Sequence, residues 1–293
     1  MGIPFIKMAA SSNDFIIVDN RSGDFQVSPA VIRKMSDRKT FGCDQFIILE
    51  NSQKADVFMR IFNADGSEAG ACGNATRCVA DLIIKEIEKE KIDIETISGI
   101  LPCWRDGEMI SVNMGKPSFE WKDMKTKLEY IKNHQIEQAS DLEFDFCSIG
   151  NPHLVFLDKE FSKLDIKNEL WWDKDSPLAR TIDYSPIANN EYFKDFSQRI
   201  IFHINTNIEY IYAVNQNHIR IRVWERGVGE TDCCGTGACA SVVIAAKKGL
   251  VKRNEKVEAE FKGGSLWVNW QNDGDIIMTG GFEYVGKGEY ETK

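Results

Sequence analysis

Two cysteines, Cys72 and Cys234, stand in like surroundings: each follows a polar stretch containing glycine, precedes a glycine and opens an apolar run. Laying Cys72 on Cys234, a shift of 162 residues, brings Arg60 onto Arg222, Ile61 onto Val223 and Phe62 onto Trp224 without a gap. It also aligns Glu68 with Glu230, Gly73 with Gly235 and Lys85 with Lys247. A thiol just ahead of a helix lies where unpaired backbone N–H groups and the helix dipole favour negative charge. Its pKa is therefore expected to fall, making it a base near neutral pH. The glycine after each cysteine lets backbone approach a ligand closely, and the N–H groups there suit a carboxylate. Two such thiols on pseudo-equivalent halves, facing one another across an interdomain cleft, predict a definite chemistry. One removes a proton from a carbon acidified by a carboxylate, and the other returns a proton to the opposite face. Two thiolates in one cleft repel, so the pair is expected to share a proton.

The elements that must position these thiols follow from the same repeat. Ile219, Ile221 and Val223 alternate with Arg220 and Arg222, and Val57, Met59 and Ile61 recur likewise, predicting a strand ahead of each cysteine. Val79, Leu82, Ile83 and Ile87 fall at helical spacing after Cys72. The run from Ala238 to Ala246 is apolar nearly all round and stops at Lys247-Lys248-Gly249, predicting a buried helix wrapped by a sheet. A second echo, at a shift of 138, relates Asn13-Asp14-Phe15-Ile16-Ile17-Val18 to Asn151-Pro152-His153-Leu154-Val155-Phe156. The halves therefore differ by insertions, the main one expected over 158–198 as short surface helices and loops. The boundary is expected at Gly115-Lys116-Pro117, giving one domain of residues 1–116 and a second of residues 117–274, while the final strand, within 275–293, is left open to either half.

Composition restricts the classes of function. The chain has 293 residues, 36 Lys+Arg against 45 Asp+Glu, a formal net charge of −9, and 43% hydrophobic residues. That is a soluble globular composition, which excludes disordered, collagen-like and coiled-coil chains. The acidic balance argues against nucleic acid as a partner. No apolar run approaches the ~20 residues of a membrane span, and the start has no cationic region before a long apolar run. The expected location is the cytoplasm, with no membrane association. Eight cysteines without a CxxC pair, beside only 4 His, do not predict a metal site. Cys43, Cys103, Cys147 and Cys239 are expected as small buried hydrophobes. Six neutral amides, Asn13, Gln45, Asn63, Asn74, Asn151 and Asn207, lie beside the repeated elements and suit a zwitterionic small molecule. Glu225 and Arg226 follow a strand directly, where Glu suits an ammonium group and Arg a carboxylate.

Together these blocks resemble diaminopimelate epimerase. The resemblance rests on Asn13-Asp14-Phe15, on Phe62 to Glu68 leading into Cys72-Gly73-Asn74-Ala75-Thr76-Arg77-Cys78, and on Gly150-Asn151-Pro152-His153. Glu225 to Thr231 running into Cys234-Gly235-Thr236-Gly237-Ala238-Cys239 completes it. It implies an α/β (α+β) fold of two similar domains, each a curved, mostly antiparallel sheet around a central helix, with the last strand returning to the first domain. It implies interconversion of LL- and meso-diaminopimelate without pyridoxal phosphate, other cofactor or metal, on the route to lysine and peptidoglycan. By motif position it makes Cys72 and Cys234 the catalytic pair, with His153 and Glu225 assisting. Gly73, Asn74, Gly235 and Thr236 are expected around the reacting carboxylate, and Asn63, Asn151, Asn207 and Arg226 at the distal end of the substrate. A homodimer is implied as well. Three departures stand out: Ser11-Ser12 where glycine is usual, Met278-Thr279-Gly280-Gly281-Phe282 without the common Gly-Pro-Ala, and Cys233 beside Cys234, expected to face the core.

Other classes of function make different demands. A related two-cysteine isomerase acting on a small imino or hydroxy acid would leave the amides and the Glu225–Arg226 pair without partners. A Cys-His thiol hydrolase needs only one of the cysteines. A non-catalytic amino-acid-binding protein needs neither.

Overall fold

The structure is a computed structural model that describes residues 2–120, 143–157 and 206–291. The expected insertion at 158–198 lies outside the described residues. The chain divides into two compact units, Met1–Gly115 with Ile277–Lys293, and Lys116–Ile276.

In the first unit β1 (Gly2–Ala10), β2 (Asn13–Asp19), β3 (Gln45–Glu50), β4 (Val57–Asn63), β6 (Lys91–Thr96), β7 (Gly99–Asp106) and β8 (Met109–Asn113) lie side by side in that order. The short β5 (Glu68–Ala69) pairs with β4. Only β2–β3 and β4–β6 are parallel. The strands run around α2 (Gly73–Ile87), whose Ala75, Cys78, Val79, Ala80, Ile83 and Ile84 pack into one cluster. That cluster takes Met8 from β1, Phe15 from β2, Ile47 from β3, Met59 from β4, Ile94 from β6 and Val112 from β8. A single helix touched by strands from both ends of the sheet requires the sheet to curl around it. A shorter helix, α1 (Pro29–Ser36), is capped by the Ser28 hydroxyl and covers the opposite face, where Ile16, Val18, Phe46 and Ile48 meet Ile32 and Met35. Both faces of β2 and β3 are thus buried, which is why they read as unbroken apolar runs rather than alternating ones.

The second unit repeats this order with β9 (Glu143–Ser148), β10 (Pro152–Leu157), β11 (Asn207–Asn215), β12 (His218–Glu225), β13 (Gly229–Thr231), α3 (Gly235–Lys247), β14 (Val257–Phe261) and β15 (Gly264–Trp270). The pairings match as well: β9–β10 antiparallel, β10–β11 parallel, β11–β12 and β12–β13 antiparallel, β12–β14 parallel and β14–β15 antiparallel. Helix α3 is touched by strands from β9 to β15 and is buried from Gly237 to Ala245, as its all-round apolar sequence requires. Two strands complete the first unit: β16 (Ile276–Gly280) pairs with β8, and β17 (Glu283–Glu291) pairs with β1. Among the described residues no helix is long and apolar enough to cross a membrane.

Candidate active site

Each cysteine of the repeat is the N-cap of its unit's central helix. Cys72 has φ −150° and ψ 108°, and its sulfur accepts from the Ala75 N–H at 3.5 Å. Cys234 has φ −136° and ψ 117°, and its sulfur accepts from the Gly237 N–H at 3.4 Å. In both, the backbone carbonyl takes the first helical hydrogen bond, from Thr76 and from Ala238. A cap side chain uses one orphan N–H of the first turn, and the N–H groups of Gly73 and Asn74, and of Gly235 and Thr236, remain among those without an intrahelical partner. These are the groups to which the sequence assigns carboxylate binding.

In the first unit the amides pair with one another, Asn74 with Asn13 and Gln45 with Asn63. Asn74 donates to the Asn13 side-chain oxygen at 2.7 Å, and Asn13 lies 3.5 Å from Asp44 Oδ2. Gln45 donates to the Asn63 side-chain oxygen at 3.2 Å, and Asn63 donates to Ser67 Oγ at 3.1 Å. The loop carrying Asn13 is held by charge. Lys7 and Arg38 both bridge to Asp14, and burial, which by itself would raise the Asp14 carboxyl, is outweighed by Arg38, Lys7 and the Asp44 N–H, leaving it at about 2. The Ser11-Ser12 departure becomes a turn with both residues left-handed (φ 50° and 65°), and the Ser11 hydroxyl accepts from buried Arg77 of α2 at 2.8 Å. Gly73 sits where a Cβ would lie 2.8 Å from the Met278 methyl.

In the second unit Thr236 Oγ1 lies 3.5 Å from the Cys234 sulfur, and the Arg226 N–H donates to the Asn207 side-chain oxygen at 2.9 Å. Glu225 accepts from the Thr231 hydroxyl. Cys234 is buried, and its thiol is pushed well above the ordinary value, first by burial and then by the charges of Glu225 and Glu209. This corrects the expectation that a helix start would lower it: desolvation and two nearby carboxylates outweigh the dipole. Cys72, at the surface of its unit, is only partly buried. Cys233 is buried, as are Cys43, Cys103, Cys147 and Cys239. Burial pushes the Cys78 and Cys147 thiols up to about 12, which leaves them inert as nucleophiles.

His153 is fully buried rather than open to a ligand. Its Nδ1 lies 2.6 Å from Glu209 Oε1 and its Nε2 lies 3.0 Å from the Asn151 side-chain oxygen. Glu209 is the residue that sequence reasoning missed. It is wholly buried, its carboxyl is raised by burial against the lowering pull of His153, and a Cβ on Gly237 would meet its Oε1 at 2.8 Å. Its signal was present in the shift of 162, which sets Glu209 against the apolar Ile47. Among the described residues no group of three or more His, Cys, Asp or Glu is placed to hold a metal ion.

The repeated topology, a sheet curled around one helix in each unit, is a fold shared with solved structures of an epimerase and an isomerase. Solved structures share it over nearly the whole chain. A phenazine biosynthesis protein of the PhzF family from Bacillus anthracis superposes with a TM-score of 0.63 at 18% identity, covering 100% of both chains. A hydroxyproline epimerase from Agrobacterium vitis gives 0.59 at 15% identity, covering 98% of this chain and 90% of that one. Sequence comparison is more specific. The diaminopimelate epimerase family profile matches residues 5–120 and 146–285. The diaminopimelate epimerase of Phenylobacterium zucineum (strain HLK1) is 37% identical over 96% of this chain and 95% of its own length. That of Acidiphilium cryptum (strain JF-5) is 36% identical over 98% and 96%. The chain belongs to the diaminopimelate epimerase family.

Proposed function

We propose that this chain interconverts LL- and meso-diaminopimelate by a two-base mechanism with Cys72 and Cys234 as the acid–base pair, in the supply of lysine and peptidoglycan precursors. The observation that carries the reading is the equivalence of the two cysteines, each the N-cap of the central helix in its unit with its sulfur on the N–H three residues on. One thiolate takes the α-proton while the other thiol delivers a proton to the opposite face. The N–H groups of Gly73, Asn74, Gly235 and Thr236 stabilise the charge that develops on the carboxylate. Their alignment at two helix starts lets them act without reorganising during the reaction.

Burial and the Glu225 and Glu209 charges keep Cys234 a thiol in the resting protein, which suits it to deliver a proton first. The partly exposed Cys72 is then the first base. Asn63, Asn151, Asn207 and Arg226 hold the distal amino-acid end, with Asn13 and Gln45 beside them. Glu225 acts next to Cys234, where its charge already bears on the thiol. The mechanism needs neither metal nor organic cofactor, since the acidifying group is the substrate's own carboxylate, held by backbone donors.

Eight cysteines with no disulfide among the described residues fit a reducing compartment, and we place the protein in the cytoplasm. We further assign it a homodimer, with the exposed Tyr284 and Val285 of β17 as an apolar surface for a second copy; sedimentation equilibrium tests the assignment. The activity is tested by proton NMR of LL-diaminopimelate with the reduced protein in D2O and no added cofactor. Loss of the α-proton signal with appearance of the meso isomer is expected, and its absence in Cys72→Ala and in Cys234→Ala. Full activity in either variant would overturn the two-base reading.

A further inference from the structure

The two units provide an internal comparison of one fold with and without a buried charge. Strand register sets β10 on β2 and β11 on β3: His153 pairs with Asn207 as Phe15 pairs with Gln45, and Gln45 lies opposite Asn63, the repeat partner of Glu225. The positions of Phe15, Ile47 and Ala75 in the first unit are thus those of His153, Glu209 and Gly237 in the second. Phe15, Ile47 and Ala75 are wholly buried members of the apolar cluster around α2. At the same three places the second unit buries an imidazole, a carboxylate and a bare Cα, with His153 and Glu209 both 0% exposed.

This is a costly exchange. A buried ionisable pair is commonly less stabilising than an apolar set of the same volume, so its presence calls for a role other than holding the fold. The loss of a side chain at position 237 is what admits the carboxylate, because any Cβ there would lie 2.8 Å from Glu209 Oε1 and 3.4 Å from the Cys234 sulfur. Glu209 Oε2 is buried and finds no hydrogen-bond partner among the described residues, so packing alone does not explain the carboxylate. Groups facing Glu209 come from every neighbouring element: Cys147 on β9, His153 on β10, Glu225 on β12 and Cys234 at the start of α3.

Both ring nitrogens of His153 face oxygen atoms, Glu209 Oε1 at 2.6 Å and Asn151 Oδ1 at 3.0 Å. The two contacts hold the ring in one orientation, Nδ1 towards Glu209 and Nε2 towards Asn151. With its oxygen so engaged, the Asn151 amide turns its N–H groups away from His153. We propose that Glu209 is a positioning residue of the second half-site, locking the His153 ring so that Nε2–H fixes the amide of Asn151 in its ligand-reading orientation. The kinetic part of this proposal rests on the epimerase reading; the orientation of Asn151 does not.

A double-mutant cycle with Glu209→Gln and Asn151→Ala tests it, read as the pH-independent limit of kcat/KM for α-proton exchange, from which the effect of the Glu209 charge on the Cys234 thiol drops out, beside the side-chain amide signals of Asn151 in the ligand-free protein. Glu209→Gln is expected to lower kcat/KM by about 10–100-fold, as loss of an orienting partner of a functional imidazole does. It is also expected to move the Asn151 amide resonances. The double variant is expected within about twofold of Asn151→Ala alone, because Glu209 acts through Asn151. If the two losses multiply, or if Glu209→Gln exchanges within about twofold of wild type, the proposal fails. Should wild type show no exchange, the epimerase reading fails, and unmoved Asn151 amide signals would separately overturn the positioning role. Should Glu209→Gln not fold, the triple variant His153→Phe, Glu209→Ile, Gly237→Ala carries the same cycle, since the first unit packs that apolar set.

Discussion

Replacing Gly237 by alanine has an effect on stability whose sign depends on two residues that are distant in sequence. In an ordinary helix the change stabilises by about 0.5–1 kcal/mol, because glycine surrenders more backbone freedom on folding. Here the new methyl would stand 2.8 Å from Glu209 Oε1, shorter by about half an ångström than the distance at which such atoms attract. The carboxylate has nowhere to retreat: Oε1 is bound to His153 at 2.6 Å and both side chains are wholly buried. Overpacking of this kind costs about 1–3 kcal/mol, so the net effect is a loss of about 1 kcal/mol, with a ceiling near 2.5. In a His153→Phe, Glu209→Ile background the obstruction is gone. The first unit carries Phe15, Ile47 and Ala75 at these places without difficulty. There Gly237→Ala should stabilise by the usual ~0.5–1 kcal/mol. Urea unfolding of the four proteins, following the second unit through its tryptophans, reads the reversal directly. A stabilising alanine in the wild-type background, or one sign in both, would refute the argument that Glu209 is what requires glycine.

Three further outcomes follow from groups already described. Cys234, held above its ordinary pKa by burial and by Glu225 and Glu209, should be alkylated by iodoacetamide far more slowly than a free thiol at pH 7–8, and Glu225→Gln should bring its reaction to lower pH; peptide mapping that found Cys234 modified as fast as cysteine itself would contradict this. Asp14, lowered to about 2, is ionised more readily folded than unfolded. Its contribution is therefore present above the ordinary carboxylate pKa of about 4 and lost as pH falls towards 2, and acid unfolding of Asp14→Asn should lack that part of the pH dependence. Glu88 ends α2 in the left-handed region at φ 52° and ψ 39°, and Glu88→Gly should raise stability by about 0.5–1 kcal/mol in urea unfolding.

The repeat made much of this legible beforehand. Strand, loop, Cys-Gly and helix recur at one spacing, and alternation in Ile219 to Val223 and the all-round apolar 238–246 fix which is strand and which is buried helix. The helix α1 was missed although Ser28-Pro29 opens it, because eight residues with one apolar face give a weak periodic signal. Glu209 was hidden for another reason. Inside Asn207-Ile208-Glu209-Tyr210-Ile211 a charged residue reads as the solvent side of an alternating strand, yet its parity points it at α3, where Ile47 points at α2 in the first unit. The pKa expectation for Cys234 failed because a sequence shows the helix dipole but not how deeply the thiol is buried or which carboxylates converge on it.

The pairing of β8 with β16 and of β1 with β17 has a consequence for how the protein is made. A ribosome delivers β1 to β8 first and then the whole of Lys116–Ile276 before the two strands that finish the first unit emerge. Until then β1 has no partner on the side that β17 will occupy, and β8 none on the side of β16. The second unit, continuous in sequence, can close as soon as it leaves the exit tunnel. The half made first is therefore the half completed last, and its open strands are the part of the nascent chain that a chaperone would have most reason to cover.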